Sequence, residues 1–195
     1  MTNPQHSAIK CEHYTPKPII ILAKELMGSI FLDPTSDAEA NEIVQAKCFL
    51  TKECDSFTKS WISTTVFCNP PGRTKNSPRS QPGINEWFTK MYHEHYIGNF
   101  IEGIFLGYSL ELLSKSGDIA LKFPICVPQP NRLGVTTGMG RIKFDAVDDS
   151  GGRVTQKQPT HGNIIVYFPP KNNGLMSEDK IEMFKKIFGK LGACK

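Results

Sequence analysis

Thr65-Val66-Phe67-Cys68-Asn69-Pro70-Pro71-Gly72 sets a short apolar run against an abrupt, rigid exit. The run reads as a buried strand. Its two prolines remove two N–H donors and fix two φ angles, so the chain leaves the strand stiffly, with carbonyl oxygens free to accept hydrogen bonds. Acceptors held in that way suit gripping a planar amino group. Pro-Pro-Gly is also an ordinary way to end a strand, so on these residues alone both readings stand.

Upstream, Pro18 to Met27 has helical periodicity through Ile19, Ile20, Leu22, Ala23, Leu26 and Met27. Ile30-Phe31-Leu32 then runs as a short strand into Asp33-Pro34-Thr35-Ser36-Asp37, and Ala38 to Ala46 reads as a helix capped by Ser36 or Asp37. Phe49-Leu50-Thr51 is a short extended piece. Downstream, residues 72–83 form the longest polar loop, and Ile84 through Tyr96 is a helix with Trp87, Phe88 and Met91 on one face. Phe100 to Leu106 is the next strand, after which Ser109 can cap Leu110 to Leu113. A helix following each of three strands is the pattern of an α/β domain with a mostly parallel sheet. Ile119–Lys122, Pro124–Val127, Arg141–Phe144 and Asn163–Phe168 add short strands, and a last amphipathic helix covers 177–189.

The 195 residues suffice for one domain that buries roughly 70% of its unfolded surface. A formal charge of +4 fits almost any partner. Its distribution is more informative: Arg73, Lys75 and Arg79 cluster after the prolines, and Arg132, Arg141 and Lys143 form a second group. Such basic loops attract a phosphate backbone, and they also occur as plain solvated linkers. The six cysteines lack close CxxC pairing and read as reduced thiols packing as small hydrophobes; Cys48, Cys54, His93 and His95 match no standard zinc spacing. His93 and His95 read as surface or helix-end residues. The polar start and the lack of a long apolar stretch predict a cytoplasmic protein with no membrane partner.

In an open α/β sheet, ligands bind beyond the carboxyl ends of the strands. Asp33-Pro34-Thr35-Ser36, Asn69-Pro70-Pro71-Gly72 and Gly107-Tyr108-Ser109 all fall there. No GxGxxG or GxxxxGK occurs, which argues against a standard dinucleotide site or a P-loop.

Several of these pieces, in this order, resemble the phage-type DNA N6-adenine methyltransferases related to Dam. His13-Tyr14-Thr15-Pro16 is similar to the family's opening motif, and Leu32-Asp33-Pro34-Thr35-Ser36 to its first strand exit. Phe49-x-Thr51-x-x-x-Asp55-x-Phe57-x-x-x-Trp61 resembles its middle signature, and Val66 to Gly72 its amino-group grip. Phe123-Pro124-Ile125-Cys126 and Arg141-Ile142-Lys143-Phe144 resemble its downstream pair.

The resemblance implies a Rossmann-like fold, S-adenosylmethionine as cofactor, no metal, and adenine in duplex DNA as acceptor, in a bacterial or phage-infected cell. It implies Thr15, Pro16, Asp33 and Thr35 around the cofactor, with Asp55 holding the cofactor's adenine amino group. Asn69, Pro70 and Pro71 would act on the target base, and Gly72, Arg73, Lys75, Tyr108 and Arg141 would meet the nucleic acid. The chemistry is consistent with this: an exocyclic amine is a poor nucleophile because its lone pair is delocalised into the ring. Hydrogen bonds from its N–H groups to Asn69 Oδ1 and the Pro70 carbonyl would aim that lone pair at a methyl sulfonium, and a duplex base would have to be flipped out first.

One position departs from the pattern. The family ordinarily has an aromatic after the two prolines, stacking on the base, where this chain has Gly72. Tyr108, Phe67 and Trp87 are the candidates to replace it. The departure keeps open transfer to cytosine N4 or RNA, or a non-catalytic DNA-binding module on the same fold.

Overall fold

The computed structural model describes residues 14–73, 77, 78, 80–147, 153–155 and 159–195. The described helices are α1 (Lys17–Met27), α2 (Ala38–Val44), α3 (Ile84–Tyr96), α4 (Glu111–Ala120) and α5 (Glu178–Phe188). The strands are β1 (Leu32–Asp33), β2 (Cys48–Phe49), β3 (Thr65–Cys68), β4 (Glu102–Gly107), β5 (Ile125–Pro128), β6 (Asp145–Val147), β7 (Arg153–Thr155), β8 (Ile164–Phe168), β9 (Lys171–Asn172), β10 (Leu175–Met176) and β11 (Gly192–Cys194). Seven of them make one central sheet in the order β2-β1-β3-β4-β8-β5-β11, and β6–β7 and β9–β10 are separate two-stranded pairs.

The alternating side-chain directions of a strand distribute the core over two faces. Phe67, Ile104, Leu106, Ile165 and Tyr167 point to one, under α1 and α5 with Leu26, Phe184 and Phe188. Val66, Cys68, Phe105, Ile164, Val166 and Phe168 point to the other, under α3 and α4 with Phe88, Met91 and Leu112. This is an α/β arrangement with helices on both sides, compatible with a Rossmann-like fold. Close packing of α3 on the sheet depends on Gly103, where an added Cβ would lie 2.7 Å from Met91 Cε.

The sheet is more mixed than the sequence pattern suggests. β2, β1, β3 and β4 are parallel neighbours. β8, however, is antiparallel to both β4 and β5, and β11 is antiparallel to β5. β5 therefore shares the direction of the first four strands, while β8 and β11 oppose it. A fully buried strand is apolar whichever way it runs, so Ile164–Phe168 carries no mark of its direction.

Two expected strands are absent. Ile119 and Ala120 complete α4, and the chain turns at Leu121 and Lys122. Arg141–Phe144 does alternate, with Ile142 and Phe144 buried, but it makes only an isolated bridge from Ile142 to Thr136. His95, expected near the surface, is 3% exposed among Phe100, Phe123 and Phe168, and burial pushes its imidazole down to about 4. His93 is exposed.

Candidate active site

From β1 the chain moves outward to β2, then returns to the opposite side of β1 to form β3 and β4. The strand order thus reverses between β1 and β3, and the carboxyl ends at such a switch point open the crevice where α/β sheets take ligands. Asp33 is the last residue of β1, and Asn69 directly follows β3. The parallel register that sets Leu32 beside Val66 brings both strand exits together.

Hydrogen bonds knit four of the expected residues into one cluster. The Thr35 N–H donates to Asp33 Oδ1 at 3.1 Å, and the Thr35 hydroxyl donates to the Asn69 carbonyl at 3.0 Å, so one side chain clasps both strand exits. Asn69 Nδ2 donates to Thr15 Oγ1 at 3.1 Å. That bond fixes the amide plane and commits its NH₂ side to the segment before α1. Thr15 and Pro16 are buried, Asn69 is half-buried, Pro70 is buried and Pro71 is exposed. The Asp33 main chain is held in turn: its carbonyl accepts from the Leu50 N–H at 2.9 Å, and the Ser36 N–H donates to the Leu50 carbonyl at 3.0 Å.

Asp33 is 3% exposed. Burial raises its carboxyl from 3.8 to about 7, against hydrogen bonds from Thr35 and Ser36 that pull the other way. Cys68, whose Sγ lies 3.8 Å from the Thr35 hydroxyl, is pushed well above the usual thiol range by burial and by the neighbouring Asp33 charge. The cluster is therefore rich in acceptors. A carboxyl that titrates near pH 7, a fixed amide and strand-end carbonyls suit a ligand presenting N–H, O–H or positive charge.

The remaining expected residues fall elsewhere or take other roles. Asp55 is exposed, ends a 3₁₀ turn in the left-handed region (φ 44°), and accepts from the Thr58 hydroxyl; no hydrogen bond joins it to the cluster. Within the middle signature, Phe57 and Trp61 build core, with Phe57 edge-on to Trp87 at 5.1 Å and Trp61 stacked on it at 6.4 Å. Arg73 folds back over its own loop, its Nε donating to the Gln81 carbonyl. Arg141 is half-buried, and its Nη1 donates to the Pro159 carbonyl at 3.1 Å. His13, Lys75 and Arg79 lie outside the described residues.

Of the aromatics that could stand in at Gly72, Phe67 is fully buried on the α1–α5 face and Trp87 is 5% exposed between Phe57 and Trp61. Neither can reach a base without dismantling the core. Tyr108 remains. It is half-buried just past β4, and burial raises its phenol above the usual tyrosine range against the pull of the Ile84 main chain at the start of α3. Among the described residues, no heavy atom lies within 4 Å of where a Cβ at Gly72 would stand, so they leave room for a larger side chain there.

Sequence reading missed the support beneath the cluster. The Tyr14 hydroxyl donates to Asp37 and Glu39 at the start of α2, each at 3.3 Å, and Tyr14 bridges to Asp145 through main-chain bonds of 2.8 and 3.0 Å. The available signal was the capping pattern at Asp37, which marked the helix start but not the partner crossing to it. Two open clefts, about 540 Å³ beside Phe57, Glu86 and His93 and about 260 Å³ beside Lys17, Ile21 and Ile43, are lined by residues outside the cluster. Comparison with known proteins finds no family model, no curated protein and no solved structure that matches this chain.

Proposed function

We propose that the chain is an S-adenosylmethionine-dependent methyltransferase acting on the exocyclic amine of a nucleobase, with adenine N6 in DNA as the acceptor. The carrying observation is the clasp at the switch point, in which Thr35 joins Asp33 to Asn69 and Thr15 sets the Asn69 amide. The ordered resemblance of the motifs to the phage-type adenine methyltransferases supports the same reading.

On this reading, Thr15, Pro16, Asp33 and Thr35 hold the cofactor, which supplies an electrophilic methyl group on sulfur. Asp33 in its ionised form accepts hydrogen bonds from cationic or hydroxyl groups. Asn69 Oδ1 and the Pro70 carbonyl accept from the two N–H groups of the base, which draws electron density to the nitrogen and orients its lone pair. The fixed φ angles of the prolines hold the Pro70 carbonyl, and the bond to Thr15 holds the Asn69 amide. Neither oxygen needs to act as a strong base.

Titration with S-adenosylmethionine and transfer of labelled methyl to DNA, followed by nucleoside analysis, test this reading. Asn69→Ala should abolish transfer while leaving cofactor affinity within about threefold, because its Oδ1 serves the acceptor. Absence of cofactor binding at millimolar concentration would refute the enzymatic reading, and label on N4-methylcytosine alone would move the acceptor to cytosine. Gly72, which has no side chain where the resembled family stacks an aromatic, favours one second reading: a DNA-binding module without transfer. That reading requires DNA affinity with no labelled product.

A further inference from the structure

At the sheet edge remote from β2, β11 pairs antiparallel with β5, and Cys194 stands directly opposite Cys126. The Lys195 N–H donates to the Ile125 carbonyl at 3.0 Å and the Gln129 N–H to the Leu191 carbonyl at 3.1 Å. Those two pairs are of the hydrogen-bonded kind. Because the two kinds alternate along an antiparallel ladder, Cys126 and Cys194 form a non-hydrogen-bonded pair, whose Cα atoms sit about 4.5 Å apart with side chains at their closest. That separation falls at the short end of the span a disulfide bridges.

Both side chains also point to one face. Cys126 belongs to the core under α1 and α5, and Cys194 packs against the same cluster. Cys126 Sγ donates to the Phe188 carbonyl at 3.4 Å and Cys194 Sγ to the Gly192 carbonyl at 3.9 Å, weak bonds that exchange of the thiols would give up. Cys126 is buried and Cys194 is half-buried. Cys48 and Cys54 lack such an arrangement: the Cys54 sulfur lies against the Thr51 hydroxyl, and Cys48 is exposed on the opposite edge strand.

We propose that Cys126 and Cys194 are a reversible disulfide site that fastens the edge strand β11 to β5 when the chain meets a low-molecular-weight disulfide such as oxidised glutathione. Cys194 reacts first. It is the accessible partner, and its thiol is lowered by the Cys126 contact, with Lys185 adding to the effect, while Cys126 is raised by Cys194 and by burial. The Cys194 thiolate attacks one glutathione sulfur, breaking the glutathione S–S bond, forming a mixed disulfide and expelling one glutathione thiolate. Cys126 then gives up its proton and attacks Cys194 Sγ; the new S–S bond replaces the mixed one, and the second glutathione leaves as thiolate. Two protein thiols are oxidised and one glutathione disulfide is reduced to two thiols. Closing a long loop through an edge strand restricts the unfolded chain more than it changes the folded one.

The test uses the full chain, reduced and then equilibrated with oxidised glutathione, with remaining thiols alkylated under denaturing conditions before digestion and mass spectrometry. The expected result is one dominant cross-linked peptide pair joining Cys126 to Cys194, lost on reduction with dithiothreitol, and a Tm raised by about 5–10 °C over the reduced chain. Cys194→Ser should remove both the cross-link and the Tm rise while folding normally, because position 194 is half-buried at an edge; Cys126→Ala serves as the second control. Glutathione left on Cys194 with Cys126 free, a link from either cysteine to another, or no link at all would each overturn the proposal.

Discussion

At the scale of single residues, two positions of the candidate site can be tested separately. Among the described residues nothing lies within 4 Å of a Cβ at Gly72, so Gly72→Tyr puts an aromatic where the phage-type adenine methyltransferases that the motifs resemble stack one. Base stacking is worth about 1–3 kcal/mol, so DNA affinity should rise by roughly 10- to 100-fold in a binding titration if Gly72 lies beside the base. Unchanged affinity would assign stacking to another residue, of which Tyr108 is the one the core leaves available. Asp33 gives a pH signature. With its carboxyl raised from 3.8 to about 7, the folded chain holds a proton there that the unfolded chain has already released. The contribution of this group to stability is therefore full below about pH 4 and is lost as pH rises through 7, by at most a few kcal/mol. Asp33→Asn keeps a neutral side chain at all pH values, so between about pH 5 and pH 8 the urea midpoint of the wild type should fall relative to that of the variant, the contribution of buried His95 being common to both. In the same interval wild-type affinity for S-adenosylmethionine should increase with pH as Asp33 ionises, and the variant should lose that increase.

At the scale of elements, α2 shows how little holds a short helix beside the site. Its seven residues are too few to be stable alone. Asp37 caps it by accepting from the Ala40 N–H at 2.6 Å, and at the far end Asn41 closes on Ala46 through bonds of 2.8 and 3.3 Å. Asp37→Ala should cost about 1 kcal/mol in urea denaturation and speed hydrogen exchange across residues 38–44 ahead of the rest of the chain. This cap was legible in the sequence, as were the bounds of β3 and α3, because capping residues, prolines and a 3.6-residue apolar period act locally. The apolar run at Ile119–Lys122 misled because its residues finish an amphipathic helix, and a window that short has no period to tell helix from strand. β11 escaped notice for the related reason that three residues carry no pattern. Within the site, Asp33, Thr35 and Asn69 were legible because a strand exit is a fixed place in this architecture. Asp55 was implied only by the resemblance of the Phe49–Trp61 signature, and its left-handed backbone and its bond to Thr58 depend on a turn that such a signature does not encode.

At the scale of the whole molecule, the parallel strands separate the work of their two ends. The clasp of Thr15, Asp33, Thr35 and Asn69 occupies the carboxyl ends of β1 and β3, whereas the amino end of β4 carries a buried polar network of a different kind. Glu102, 6% exposed, accepts from the Tyr167 hydroxyl and from Lys180 Nζ at 3.1 Å, and Lys180 also donates to the Leu26 carbonyl at 2.9 Å. One carboxylate thereby joins β4 and β8 to α5, and its lysine reaches on to the last turn of α1, so four elements meet at a point remote from the ligand crevice. Removing Glu102 takes from the buried Tyr167 hydroxyl its acceptor and leaves Lys180 with the Leu26 carbonyl alone, which is why the loss exceeds the net worth of the contacts themselves. Glu102→Ala should lower the unfolding free energy by about 3–5 kcal/mol in urea denaturation. Among the molecules still folded, the Kd for S-adenosylmethionine should stay within about twofold of wild type, because among the described residues these bonds link Glu102 to Tyr167, Lys180 and Leu26 and not to the residues at the switch point. Lys180→Met, which keeps the aliphatic stem over the sheet, should show the same pattern at smaller amplitude, since Lys180 is 31% exposed and water can replace part of what it supplies to Glu102. A matching loss of cofactor affinity in either variant would mean that the sheet transmits strain along β4 and does not keep its two ends independent.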